Sequence, residues 1–256
     1  MITQKSTGLQ GLRLSCTHKT TLHSPDQESE LKQYLADYGY VYLPNQPENF
    51  DWIGCTQDLT QAKLMRQDNG DSIHDVKCKA GFELLSDSQS KNPLRYHTEA
   101  PYFPTPPHYI ALWCVKPDIV DGHTILSDSR DFLRSWLTQE EQQQLAKKKY
   151  RYTDLSGKYL SYYSILQFPR CGEYILRFSL NNLLYGHPSP DINAEPINQD
   201  PFLNDICQRI VEFCADEHKA IRLRRNSLLI VDNWIMLHSR TAFADPNRHL
   251  QRIWLA

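Results

Sequence analysis

The sequence lacks long apolar runs and paired cysteines. No stretch approaches the roughly 18 consecutive apolar residues of a membrane-spanning helix, and the opening MITQKSTGLQ lacks the apolar segment of a secretory signal. The seven cysteines are an odd number and include no Cys-x-x-Cys pair, which argues against a zinc ribbon and against a disulfide framework. We therefore expect a cytoplasmic protein with reduced thiols that does not bind a membrane.

An excess of positive charge is also missing. The 28 Lys and Arg residues are balanced by 30 Asp and Glu residues, so the formal net charge is -2. The basic clusters at residues 147–149 and 222–225 are interpreted as solvated faces. The composition therefore predicts no nucleic-acid partner.

No internal repeat or flexible linker divides the chain. Its 256 residues are enough to bury a sizeable core, and we predict a single domain over residues 1–256. Glycine is scarce, with ten residues, whereas the chain contains 14 Tyr, nine Phe, five Trp and 15 Pro. This composition favours a loop-rich fold built from strands over a helical bundle.

Two helix ends have specific signals. Ser24 followed by Pro25 is typical of a helix start, and Gly39 is placed to end that helix in the left-handed conformation. Thr138 and Glu141 have the spacing of a capping box, in which each residue satisfies the backbone N–H of the other. These signals predict one helix before Gly39 and a short helix after Thr138.

Strands are predicted wherever a short apolar or aromatic run is bounded by turn residues. The runs lie at residues 40–43, 108–115, 122–126, 150–163, 174–180 and 227–231, and residues 202–213 have the spacing of an amphipathic helix. Two stretches show no periodicity. We interpret residues 57–92 as a functional or mobile connection and residues 181–200 as a surface loop and candidate lid.

The triplet His97-Thr98-Glu99 carries the first chemical signal. On an extended segment, residues two apart point to the same side, so an imidazole and a carboxylate could reach one metal ion. About one His-x-acid triplet is expected by chance in a chain of this composition, so a third ligand is needed to support the site. We propose His238, because two His and one carboxylate form the facial triad of non-haem Fe(II) oxygenases.

Two arginines follow the proposed third ligand. Arg248 and Arg252 lie ten and fourteen residues after His238, next to a final apolar stretch. The planar guanidinium grips a carboxylate with two parallel hydrogen bonds, so it suits the distal end of a dicarboxylic acid. An iron triad and an arginine are what a 2-oxoglutarate-dependent enzyme requires.

Four motifs in this order resemble a known family. The strings HTEAPYFPTPPHYIALWC, DGHT, DNWIMLHSRTAF and RHLQR are similar to those of the Fe(II)/2-oxoglutarate-dependent dioxygenases of the taurine dioxygenase (TauD/TfdA) superfamily. Glu99 in place of the commoner Asp resembles the clavaminate synthase-like branch. The Pro-Pro segment and RHLQ resemble the γ-butyrobetaine and trimethyllysine hydroxylases. The resemblance implies a mainly β fold with flanking helices, a double-stranded β-helix or jelly roll.

The resemblance also implies roles for individual residues. The three ligands would bind Fe(II), Arg248 would bind the C5 carboxylate of 2-oxoglutarate, and Thr124 would hydrogen-bond that same carboxylate. Arg252 would face the substrate or a neighbouring shell. Which of the two arginines binds 2-oxoglutarate stays open.

Aromatic and charged residues near the motifs are candidates for the substrate pocket. Tyr96, Tyr102 and Trp234 flank the ligands and could form its walls or an aromatic cage, with core packing as the alternative. Arg177, in the middle of a predicted strand, could bind a substrate carboxylate. Asp232-Asn233 is expected to shape the turn before His238, and Arg240 to be a structural ion-pair partner.

The implied reaction consumes dioxygen and 2-oxoglutarate and releases succinate and CO2 while it oxidises a substrate C–H bond. We expect hydroxylation of an unactivated C–H bond in a small amino-acid-like metabolite. Glu99 keeps a carboxylate on the iron, which argues against halogenation. Desaturation, epimerisation and ring closure by the same site remain alternatives, as does a jelly-roll protein that binds a metal or small ligand without catalysis. The oligomeric state stays open.

Overall fold

The computed structural model describes residues 25–118, 120–170 and 172–256. Its helices are α1 (Pro25–Tyr38), α2 (Trp52–Thr60), α3 (Ser129–Ser135), α4 (Gln139–Lys147), α5 (Leu180–Tyr185) and α6 (Pro201–Asp216). Its strands are β1 (Tyr40–Leu43), β2 (His74–Lys77), β3 (Leu94–His97), β4 (Tyr109–Lys116), β5 (Thr124–Asp128), β6 (Lys149–Thr153), β7 (Leu160–Ser164), β8 (Leu166–Gln167), β9 (Ile175–Leu176), β10 (Lys219–Ile221), β11 (Leu228–Asp232), β12 (Met236–Arg240) and β13 (His249–Leu255). Among these helices, none combines the length and the apolar composition needed to cross a membrane.

Two antiparallel sheets form the body of the fold. The larger has the strand order β1-β11-β4-β13-β2 and the smaller the order β10-β5-β12-β3. Strands far apart in sequence are neighbours in both sheets, which is the connectivity of a jelly roll. The predicted fold class, mainly β with flanking helices, is confirmed.

The larger sheet is buried on both faces, because the side chains of its strands alternate between two hydrophobic clusters. In β11, Leu229 and Val231 belong to the cluster that fills the interior of the jelly roll. Leu228 and Ile230 belong to a second cluster, which includes residues of α1 and α2. This alternation is what fixes the register of the sheet, since a slip of one residue would exchange the two faces.

Both helix signals in the sequence correspond to helix ends in the structure. Gly39 has φ +73, and its N–H donates to Leu35 O at 2.8 Å, so the left-handed end of α1 is confirmed. The capping box of Thr138 and Glu141 at the start of α4 is also confirmed. The predicted N-cap Ser24 lies outside the described residues.

Several regions differ from the sequence prediction. Residues 57–92 contain β2, an edge strand that pairs with β13 and places His74 opposite Arg252. Its sequence HDVK is mostly polar and therefore carries no strand pattern. The strand predicted at 174–180 is wrong beyond Leu176, because Ser179 caps α5 by accepting from Asn182 N at 3.3 Å.

The stretch 181–200, interpreted as a surface loop and candidate lid, begins within α5, so residues 181–185 are helical, and Asn181 is buried there. Residues 186–200 contain no helix or named strand, as the loop prediction expected. The Asn181 side chain donates to Ser86 O at 3.1 Å and to Pro188 O at 2.8 Å. These bonds tie residues 181–188 to the segment that leads into β3.

Candidate active site

Three candidate metal ligands meet at the pairing of β3 with β12. His238 lies directly opposite His97 in this antiparallel pair, and their ring centroids are 4.2 Å apart. Glu99 follows β3 and turns its carboxylate to the same side, with Oε2 4.0 Å from His238 Nε2. One ligand atom from each residue lies within 4.8 Å of the others. The structure therefore assembles the His/Glu/His set that the sequence separates by 141 residues.

The protonation of the two imidazoles suits a metal ion. Nδ1 of His97 lies 2.8 Å from Arg95 O, so the proton belongs on Nδ1 and the lone pair on Nε2. Burial lowers the pKa of His97 and, together with the neighbouring His97, lowers the pKa of His238 well below its usual value. Neutral imidazoles and a carboxylate are ligands that suit Fe(II).

Arg252 is bonded to the carboxylate ligand. Its Nη1 donates to Glu99 Oε2 at 2.7 Å, while Nη2 and Nε donate to Gln67 Oε1 at 2.8 and 3.2 Å. Gln67 in turn donates to Arg252 O at 3.0 Å. Gln67 has no sequence signal, because no motif marks it within the irregular stretch 57–92.

Arg248 carries a buried guanidinium without a carboxylate partner among the described residues. The residue is 3% exposed, and its hydrogen bond to Gly122 O is long, at 3.4 Å. Burial lowers the pKa of Arg248, which means that the site disfavours the charge in the absence of an anion. A carboxylate of 2-oxoglutarate fits this environment, because it would pair the charge and satisfy the unused donors.

The surroundings of Arg248 include a second buried arginine. The ring of Phe243 lies 4.9 Å from the guanidinium carbon of Arg248 and 4.8 Å from that of Arg240. Within the described part of the chain Arg240 forms no ion pair, contrary to expectation, and donates instead to backbone oxygens, among them Ser90 O at 2.8 Å. Thr124 is buried opposite Arg240 in the pairing of β5 with β12.

Tyr102, a candidate pocket residue, is buried and bonded to Asp68. Its buried ring packs against Tyr159, and its hydroxyl donates to Asp68 Oδ2 at 2.8 Å. Asp68 directly follows Gln67, the partner of Arg252. The pKa of Tyr102 is raised by burial and then by Asp68, so this hydroxyl stays protonated as a donor.

The side chains of Tyr96 and Trp234 are held by contacts with other parts of the protein. Tyr96 precedes His97 on β3 and so points to the opposite face of the sheet, next to Ser239 and Cys214. The ring of Trp234 stacks on His108 at 3.9 Å, and its Nε1 donates to Pro106 O at 3.2 Å. These contacts favour packing roles over the pocket walls that the sequence suggested.

The guanidinium of Arg177 also forms its hydrogen bonds within the protein. It is 1% exposed, donates to the carbonyl oxygens of Pro101, Phe103 and Pro104, and bonds Gln167 Oε1 at 2.9 Å. These contacts hold the segment that follows Glu99. They favour a structural role over the substrate contact expected from the sequence.

The absence of a side chain at Gly122 permits the close approach of the Arg248 guanidinium to the backbone. Gly122 has φ +75, and a Cβ added there would lie 3.0 Å from Arg248 Nε and 3.2 Å from Phe243 Cβ. We expect Gly122→Ala to weaken 2-oxoglutarate binding about tenfold, roughly 1.4 kcal/mol, because the guanidinium must move. Isothermal titration under anaerobic conditions measures this affinity.

Gly157→Ala is the matched control. Gly157 has φ +72, but nothing lies within 4 Å of an added Cβ. Both substitutions carry the left-handed backbone cost of roughly 1–2 kcal/mol, so both should lower the melting temperature. An equal loss of 2-oxoglutarate affinity in the two variants would contradict the role given to Gly122.

Comparison with known families shows the family to which the chain belongs. The model of the family described as "Taurine catabolism dioxygenase TauD, TfdA family" matches residues 4–254. The chain belongs to the TauD/TfdA family. This dioxygenase therefore depends on Fe(II), 2-oxoglutarate and dioxygen, as the sequence motifs predicted. A search of curated protein sequences gives no significant match.

Solved structures with the same fold are distant in sequence. The dioxygenase is 19% identical to an asparagine oxygenase in complex with Fe(II), a hydroxyasparagine and succinate, with a TM-score of 0.66 over 88% of this chain and 79% of the other. It is 16% identical to the non-heme iron oxygenase OrfP in complex with Fe and alpha-ketoglutaric acid, with a TM-score of 0.62 over 91% and 80% of the two chains. At these identities the similarity establishes the jelly-roll fold.

Proposed function

We propose that His97, Glu99 and His238 bind the iron of this dioxygenase and that Arg248 binds the distal carboxylate of 2-oxoglutarate. The observation that carries the proposal is the convergence of three candidate ligand atoms within 4.8 Å. Two arginines accompany them: Arg248, buried just before β13, and Arg252 within β13. Arg248 is the better cosubstrate residue of the two, because Arg252 is already bonded to Glu99.

We further propose that the reaction is hydroxylation of a small amino-acid-like metabolite. The Arg252 guanidinium, the Gln67 amide and the Tyr102–Asp68 pair supply both donors and acceptors beside the ligands. Such groups suit a substrate that carries a carboxylate and an ammonium group. The structural neighbours include complexes with hydroxylated asparagine and hydroxylated arginine, which supports the same substrate class.

The chain's own residues have three tasks in this reaction. The two neutral imidazoles and Glu99 hold the metal, which, with 2-oxoglutarate and dioxygen, supplies the oxidising chemistry when bound. Arg248 orients the cosubstrate through its buried guanidinium. Arg252 donates a hydrogen bond to Glu99 Oε2 at 2.7 Å and thereby orients this carboxylate.

A substrate screen tests the proposal. Purified protein is incubated with Fe(II), 2-oxoglutarate, dioxygen and a panel of amino acids and betaines, and succinate is measured. We expect at least one amino acid to stimulate succinate formation and to gain the mass of one oxygen atom. A product lighter by two hydrogen atoms would instead identify desaturation or ring closure. No stimulation by any member of the panel would contradict the substrate class.

Two further expectations stay proposals. We propose a cytoplasmic location and the absence of a nucleic-acid partner, on the composition and the balanced charge alone. Fractionation of cells and a gel-shift assay with duplex DNA and RNA test them directly.

A further inference from the structure

The side chain of Asn233 is bonded to the backbone of the candidate ligand Glu99. Its Oδ1 accepts from Glu99 N at 2.6 Å, and its Nδ2 donates to Glu99 O at 3.1 Å and to Pro107 O at 2.9 Å. Asn233 is 1% exposed. Its carboxamide therefore satisfies both backbone groups of Glu99, as a neighbouring strand would in a regular sheet.

The backbone around Glu99 needs such a partner, because it leaves the sheet there. β3 ends at His97, and Ala100 adopts φ +48, a left-handed conformation that is uncommon for a residue with a Cβ. On the side opposite Asn233, Thr98 N donates to Phe178 O at 2.8 Å. The segment that carries the carboxylate is thus clamped from two directions.

The turn that contains Asn233 is held by other groups. Trp234 N donates to Asp232 Oδ1 at 3.0 Å, and Ser129 Oγ donates to Ile235 O at 2.5 Å. The three hydrogen bonds of the Asn233 side chain go instead to residues 99 and 107. Shaping of the turn, the role expected from the sequence, therefore does not account for the direction of this side chain.

Asn233 also connects two of the ligands. It is the first residue of the β11–β12 connection, and His238 is the third residue of β12, which begins at Met236; its amide bonds the backbone of Glu99. We propose that Asn233 is a positioning residue that fixes the distance between Glu99 and His238 and so sets the affinity of the protein for its metal. This inference rests on the proposed iron site and adds to it a residue that does not touch the metal.

A metal titration tests the inference without relying on turnover. Co(II) is titrated anaerobically into metal-free protein, and its visible absorption reports both affinity and coordination geometry. We expect Asn233→Ala to lower the affinity about 10- to 100-fold, the range typical of groups that orient metal ligands, and to alter the Co(II) bands. Asn233→Asp should also bind less tightly, because it keeps the acceptor for Glu99 N but loses both Nδ2 donors.

Ser129→Ala is the matched control. It removes a buried hydrogen bond from the same turn without touching Glu99, and we expect its Co(II) affinity and spectrum to match those of the unmodified protein. Asn233→Asp, which is nearly the same size as Asn, covers the case in which Asn233→Ala does not fold.

The outcomes separate this inference from the iron site itself. Unaltered Co(II) affinity in both Asn233 variants, with tight binding by the unmodified protein, would overturn the role of Asn233 and leave the iron site intact. Equal losses in Ser129→Ala and Asn233→Ala would overturn it too, because the loss would then follow general destabilisation of the turn. No Co(II) binding by the unmodified protein would overturn the iron site and this inference together.

Discussion

Substitution of His238 by alanine should reduce succinate formation by about 1000-fold or more, equivalent to roughly 4 kcal/mol. The residue supplies one of the three proposed ligand atoms, and without it the metal would keep only the two protein ligands His97 and Glu99. The expected loss is in kcat, because the chemical step requires the iron. Succinate formation with a substrate found in the screen measures it.

His218→Ala is the control for the loss of an imidazole. His218 is exposed and lies two residues after the end of α6, and its Nδ1 is 3.1 Å from the backbone oxygen of Ala215. We expect this variant to keep full activity. Turnover by His238→Ala at the level of the unmodified protein would show that the iron is bound elsewhere.

Substitution of Arg248 by glutamine should weaken 2-oxoglutarate binding by about 100-fold, roughly 3 kcal/mol, because a buried carboxylate would lose its charge partner. The neighbouring Arg240 cannot replace the lost guanidinium, because it already donates to carbonyl oxygens. The apparent KM for 2-oxoglutarate should rise, while the affinity for Co(II) alone should stay within about twofold of its original value.

Arg248→Lys separates charge from geometry. Lysine keeps the positive charge but cannot form two parallel hydrogen bonds, so its effect should be intermediate. If Arg252→Gln raised the KM for 2-oxoglutarate and Arg248→Gln did not, the two arginines would have exchanged roles.

The sequence predicted the parts of the fold that depend on local pattern. Gly39 and the Thr138–Glu141 box mark helix ends through their own backbone chemistry, and both are present. β11 has an apolar run long enough to be recognised, because it is buried on both faces. The polar edge strand β2 has no such run and was missed for that reason.

The candidate ligand set was accessible from the sequence because each candidate ligand lies in a short, ordered motif. Gln67 was not accessible in this way, because its hydrogen bonds with Arg252 depend on the pairing of segments that are far apart in sequence. The side-chain alternation that brings His97 and Glu99 to one side places Tyr96, adjacent to His97 in sequence, on the other face of the sheet.

Arg177 illustrates a further limit. A charged residue in an apolar run suggested a ligand contact, but three backbone oxygens of residues 101–104 accept its hydrogen bonds. Buried arginines that bind substrate and those that hold a loop have the same sequence signature, and only the position of the acceptors distinguishes them.

Anaerobic titration with Fe(II) and 2-oxoglutarate tests the central claim most directly. If one iron is held by His97, Glu99 and His238 with 2-oxoglutarate bound to it, the complex should show a visible metal-to-ligand charge-transfer band that requires both components. The band should be lost in His238→Ala and should need a higher 2-oxoglutarate concentration in Arg248→Gln. A mixture of the unmodified protein, Fe(II) and 2-oxoglutarate that stays colourless would contradict the account.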